Sequence, residues 1–275
     1  PATSHASPAL PFRDSDGEIE AAFVEAVERA VGEEDVGTLS ALVANLHQSD
    51  VGVLLEALEH DSRPALIELL GAVFDFAALT EVDDTIRDEI LHELETQTVA
   101  QGVRELDSDD AVTILADLAP EETREILDRL TQTERAALQK ALDYPEDAAG
   151  RLMQTAFIAA PRVWTVGQTI DFMRETQDLP ETFYEIYVVG ADGKLIGSVA
   201  LDRLLRTQRP VKIGEIMRDG LHRVRAHEPQ DEVARRFERY NLVAAPVVDE
   251  AARRVGVITI DDLVVSPCAP YEALR

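Results

Sequence analysis

An apolar residue returns every twelve positions across much of the first half of this chain. The register runs through Leu46, Leu58, Leu70, Val82, Leu94, Leu106, Leu118, Leu130 and Leu142, and is weakest around Val82. From Leu106, three successive units read LDSDDAVTILAD, LAPEETREILDR and LTQTERAALQKA. A second rung passes through Leu115, Leu127 and Gln139. Each unit holds one short helix. A turn or cap residue opens it (Ser49, Ser108, Pro120, Thr131), and acidic residues such as Asp109/Asp110 and Glu121/Glu122 fill the first turn, where they complement the helix dipole. A helix of this length is marginal alone in water, so the units must stack. The expected product is an all-α right-handed superhelix with acidic polar faces.

The charge follows the same division. The whole chain carries -27, and residues 18–143 hold 31 acidic against 8 basic side chains. From Tyr144 onward the count is 20 acidic against 17 basic. Self-repulsion on this scale opposes compaction, so a cationic partner that relieves it is expected. A surface this negative argues against nucleic acid, whose binding depends on neutralising phosphates, and against an anionic membrane face. General acidification, as in salt adaptation, would acidify both halves alike. Hydrophobic content of 45% is that of a folded protein, and 275 residues suffice for two or three domains. The lone cysteine, Cys268, excludes an internal disulfide and fits a reducing, cytoplasmic setting. No stretch is long and apolar enough to cross a bilayer. The Pro-, Ala- and Ser-rich start reads as a disordered tail, residues 1–17, without the order of a signal peptide.

After Pro145 the period changes. Tyr184–Val189 and Leu195–Val199 are short β-rich runs around a turn at 191–193, and Ala245–Val248 with Val255–Ile260 repeat that order around a polar turn through Asp249–Arg254. Helical segments precede each pair (Val166–Thr176, Pro229–Tyr240) and follow it (Leu201–Thr207, Asp261–Val264). One α/β unit is thus used twice. Met153, Met217, Trp164, Phe172 and Phe183 fall at core positions of these units.

With Pro246–Asp249 and Gly256–Asp262, the second unit resembles cystathionine-β-synthase (CBS) domains, which pair and often bind adenine nucleotides. The resemblance makes Thr259 and Asp262 candidate contacts for the sugar and phosphate of a nucleotide. The first unit has Ala200 and Arg203 at those positions. An acidic helical superhelix followed by a tandem CBS pair, joined through Tyr144–Met153, resembles the cytosolic region of MgtE-type magnesium transporters and channels. The resemblance implies domains at 18–143 (helical), 144–208 and 209–266 (CBS), with a tail at 267–275. It implies homodimerisation through the CBS units, attachment to a membrane-embedded pore domain at the cytosolic face of the membrane, and regulatory Mg2+ between the helical and CBS domains. Asp109 and Asp262 are the leading metal ligands it implies, with Asp107, Asp110 and Asp261 beside them. Thr113 and Asn241 stand where relatives carry further acidic residues. The rival reading is a stand-alone soluble CBS protein sensing adenine nucleotides. An enzyme is not expected: the six histidines form no spaced metal motif, His47, His60 and His92 fall on the helical surface, and no nucleophile–base set is evident.

Overall fold

The computed structural model describes residues 10–264 apart from 177, 178, 181 and 252; Cys268 and the tail 267–275 lie outside the described residues. Two compact units emerge. The first contains the chain up to Leu106 together with Thr113–Glu134. The second contains Asp107–Val112 and the chain from Arg135 onward.

The first unit is helical: α1 (Ala21–Gly32), α2 (Val36–Val43), α3 (Gln48–Ala57), α4 (Ser62–Leu70), α5 (Asp84–Glu93), α6 (Thr96–Glu105), the second half of α7 (Ser108–Asp117) and α8 (Pro120–Arg129). Helix α9 (Gln132–Leu142) begins at the boundary between the units. The twelve-residue rung has a defined structural meaning. Leu58, Leu94 and Leu130 are the extended residues that end α3, α5 and α8, and each turns a buried side chain inward. The rung therefore marks the joints, where a residue must leave helical geometry yet stay in the core. Where the register weakens, two 3-10 segments (Gly71–Val73 and Phe76–Glu81) replace a helix. The second rung needs one correction. Gln139 is exposed and the neighbouring Leu138 takes the core position, because α9 is one residue out of phase with α7 and α8 there. The expected tail is also shorter: Arg13 bonds to Asp50 and pairs with Ile19, and the Phe12 ring meets Phe23 edge-on at 5.3 Å. The first nine residues of that tail lie outside the described residues. Inside this acidic unit Arg87 is buried, held by Asp117 at 2.6 Å, Asp84 at 2.8 Å and the Val82 carbonyl.

The second unit contains two three-stranded sheets of identical topology. In the first, β1 (Ala159–Pro161) runs parallel to β2 (Glu185–Val189), which is antiparallel to β3 (Leu195–Ala200). In the second, β4 (Val224–Arg225), β5 (Ala244–Val248) and β6 (Arg254–Thr259) repeat that order. Helices α10 (Val166–Glu175), α11 (Leu201–Arg206) and α12 (Ile213–Ile216) accompany the first, and α13 (Gln230–Tyr240) and α14 (Ile260–Val264) the second. Asn241 ends α13 at φ 54°, the left-handed cap conformation that asparagine tolerates. Trp164, Phe172 and Phe183 pack on the core of the first repeat, as expected.

The two methionines pack into each other's repeat. Met153, ahead of the first repeat, lies in the core of β5 and β6, with Gln154 bridged to Val257. Met217, ahead of the second, packs against the core of β2 and β3, with Arg218 bridged to Ser198. Glycine admits each crossing segment. A Cβ on Gly197 would stand 2.7 Å from the Arg218 carbonyl, and one on Gly256 2.7 Å from the Gln154 carbonyl and 2.8 Å from Met153. Gly256→Ala is therefore expected to lower stability by roughly 1–3 kcal/mol, because backbone cannot retreat as a flexible side chain can. Gly32→Ala, which meets nothing within 4 Å, should stay within about 0.5 kcal/mol of the parent. Thermal unfolding of the two variants checks the contrast.

Candidate functional site

The first turn of α7 carries Asp107, Ser108, Asp109 and Asp110, and it belongs to the second unit. Ser108 is not a simple cap. Its hydroxyl accepts the Thr155 N–H at 2.7 Å and donates to the Met153 carbonyl at 3.4 Å, tying this turn to the crossing segment. That tie sets Asp109 against Asp262 at the start of α14, and the two carboxyls share a hydrogen bond.

Asp262 is held from three sides. One oxygen accepts the Thr259 N–H at 2.7 Å, and the other accepts Gln154 Nε2 at 3.2 Å. The third partner is Asp109. Burial raises the pKa of both groups. Asp109 goes well above the usual carboxylate range, pushed first by burial and then by the charge of Asp262; Asp262 reaches about 6, with Thr259 opposing the rise and Asp261 adding to it. A hydrogen bond between two carboxyl groups needs one proton, which the pair shares. Asp107 also acts on Asp109 through its charge, as Asp261 does on Asp262, and both are exposed. Asp110 is half-buried on the next position of α7. The structure thus gathers four of the five acidic residues singled out from the sequence around one buried pair. Among the described residues, no group of three or more His, Cys, Asp or Glu converges as a metal site.

Thr259 opens the turn into α14, where its buried hydroxyl and its N–H both act on the Asp262 carboxylate. Its neighbour in the nucleotide reading, Asp262, already accepts two bonds from the chain and faces Asp109.

A model of the MgtE intracellular N domain matches residues 46–147, and a CBS-domain model matches residues 213–266. The chain thus matches, in order, the MgtE intracellular N domain and a CBS domain. It is 29% identical over 243 residues to the magnesium transporter MgtE of Thermus thermophilus, covering 86% of this chain and 53% of that protein. It is 23% identical over 224 residues to the magnesium transporter MgtE of Bacillus subtilis, covering 82% and 50%. The chain therefore spans about half the length of these curated relatives. Among solved structures, the cytosolic domain of the Mg2+ channel MgtE in complex with ATP superposes with a TM-score of 0.80 at 29% identity, covering 88% of this chain and 98% of that one. The soluble part of a magnesium transporter superposes at 0.75 and 23% identity, a likeness of fold. No helix among the described residues is long and apolar enough to cross a membrane.

The raised values set the sign of a pH effect. The folded pair retains protons that the unfolded chain releases, so its penalty is absent in acid. The penalty grows as pH rises through the ordinary Asp range, and is complete above the pair's own raised values. Asp109→Asn keeps a donor toward Asp262 and removes one ionisable group. At pH 7.5 without divalent ions it should stabilise the chain by roughly 1–2 kcal/mol, or about 2–8 °C in thermal midpoint. The gain should shrink toward pH 4, which a pH series of unfolding curves checks.

Proposed function

We propose that this chain is the cytosolic Mg2+-sensing regulatory region of a magnesium transporter, with a compact, closed state favoured when Asp109 and Asp262 hold the ion. The observation that carries this reading is the buried, hydrogen-bonded pair of carboxylates. Mg2+ takes hard oxygen ligands, retains several waters and is usually bound through one or two carboxylates, so a two-carboxylate donor set fits it. Bound there, the ion supplies positive charge against groups that burial and mutual repulsion keep from ionising together. Asp262 serves as the positioned ligand, fixed by Thr259 and Gln154. The pair must release its shared proton before Asp109 can join it. Asp107 and Asp261 add negative potential beside them, and Asp110 is the remaining candidate in the same turn.

Magnitude argues for more than one ion. A site with free ion at about ten times its dissociation constant contributes about 1.4 kcal/mol. Shifting an equilibrium from 1:99 to 99:1 takes about 5.5 kcal/mol, so about four such sites suffice. The surplus of acidic side chains in residues 18–143 suits that number.

The same reading assigns a pore domain of the same protein as a partner and a homodimer formed through the CBS pair. Exposed apolar side chains in both repeats support the dimer: Tyr184 and Val243 at matching places before α11 and α14, with Leu205 in α11 and Ile260 in α14. A second, compatible reading is adenine-nucleotide binding at Thr259, supported by the ATP complex of the similar cytosolic domain.

Small-angle scattering in millimolar Mg2+ should show a smaller radius of gyration than in chelator, with Ca2+ and matched ionic strength as controls. Asp109→Ala or Asp262→Ala should diminish the change. A profile indifferent to Mg2+ contradicts the sensing role. In that case, saturable ATP binding lost in Thr259→Ala would favour the stand-alone nucleotide sensor.

A further inference from the structure

The two repeats are related by a shift of 59 positions, which carries Leu195 onto Arg254 and Val189 onto Val248. Leu195 is 2% exposed and sits in the cluster where the repeats meet, with Tyr187, Val248 and Val257. The second repeat thus places a guanidinium where the first has a core leucine. Arg254 lies over the Phe157 ring, with the Tyr187 ring 5.4 Å away on centroid. Its Nε and Nη1 are buried and have no hydrogen-bond partner among the described residues, while the residue as a whole is only half-buried. The shift also carries Ser198 onto Val257. Ser198 is directly opposite Tyr187 across the strands, and its hydroxyl is likewise buried without a partner among the described residues. Unsatisfied donors thus stand at two positions that the other repeat fills with Leu and Val.

The surroundings are basic, although the chain is acidic. Lys194 and Arg253 face each other across an isolated bridge, and Arg223 donates to the Leu195 carbonyl at 3.0 Å. The nearby carboxylates are engaged elsewhere. Asp192 pairs with Lys194 at 3.3 Å, and Asp249 accepts the Arg253 backbone N–H at 2.8 Å. Glu185 acts on Tyr187 rather than on Arg254. Burial pulls the Arg254 pKa down to about 9, and the Tyr187 phenol is the titratable group opposing that shift. At neutral pH the side chain is still a cation.

A cation held between aromatic rings with idle donors is costly unless something accepts from it. The planar fork of arginine matches the oxygens of phosphate and carboxylate groups better than any other side chain does. We propose that Arg254, backed by Arg223, Arg253 and Lys194 and assisted by the Ser198 hydroxyl, forms a binding site for a phosphate-type oxyanion at the seam between the two CBS repeats. The site is separate from the Asp109–Asp262 pair. Arg254 and Thr259 stand at opposite ends of β6, about 17 Å apart at the usual rise per residue. Free phosphate and the phosphates of a nucleotide present the same chemistry to Arg254.

The test is calorimetric titration of the full chain in chelator at constant ionic strength, with inorganic phosphate, inorganic triphosphate, ATP and adenosine. Saturable binding of triphosphate or phosphate is expected, and adenosine should not reproduce it. A preference for ATP over triphosphate identifies a nucleotide as the source, and equal binding identifies the free anion. Arg254→Leu copies the leucine of the first repeat. It should weaken anion binding by about tenfold or more, the loss of one charge-assisted hydrogen bond, and should raise the ligand-free thermal midpoint. Arg254→Lys keeps the charge without the fork and should also bind more weakly, which decides the matter if the leucine variant fails to fold. Absence of saturable anion binding, or parental affinity in the folded Arg254 variants, overturns the proposal.

Discussion

A proton held between Asp109 and Asp262 is the interaction on which the functional account depends. Two carboxyls are brought together where burial disfavours the charge of either. In water, two such groups would separate. Here they cannot, because Ser108 ties one to the segment at Thr155 while Gln154 and Thr259 fix the other. The arrangement is stable with one proton in place and strained without it. Such a site responds to whatever can replace that proton, and a divalent cation with oxygen preference is the obvious replacement.

The residues that make this possible are supplied by an exchange between the repeats. Met153 and Gln154 precede the first repeat in sequence but pack on β6 of the second, and Met217 and Arg218 do the reverse. Gly197 and Gly256 exist at the crossings because a side chain there would strike backbone. Gln154 is thereby delivered to Asp262 from more than a hundred residues away. The same pseudo-symmetry exposes the exceptions. Where the repeats differ, as at Leu195 and Arg254 or Arg203 and Asp262, one copy has a packing or surface residue and the other has the residue on which a proposal rests.

Much of the fold was legible because the physics behind it is periodic. Leu58, Leu94 and Leu130 recur since α3, α5 and α8 each end on a buried joint, and that spacing survives in sequence. The longer strands and the helices α10 and α13 were readable from alternation and helical spacing. Strands β1 and β4 were not, because three and two residues carry no pattern of their own and are defined only by their parallel partners. Gln139 misled because the rung was extended by spacing alone, and a single residue of phase moved Leu138 inward. At the site, the residue types came from a family resemblance, while their union came only from the fold. Arg254 gave no signal at all. In sequence it is one more charge in a polar turn, and only the register of β6 shows that it occupies a core position.

The central claim is that the ion takes the place of a proton. Its most direct test is calorimetric titration of Mg2+ into the chain near pH 6, where Asp262 titrates, in buffers of differing ionisation enthalpy. The account predicts release of about one proton for each ion bound at this pair, since a ligand must be deprotonated to coordinate. Asp109→Asn should release less, only the fraction of a proton still carried by Asp262. Mg2+ binding with no proton release at that pH would contradict the account, and would place the ion elsewhere than at Asp109 and Asp262.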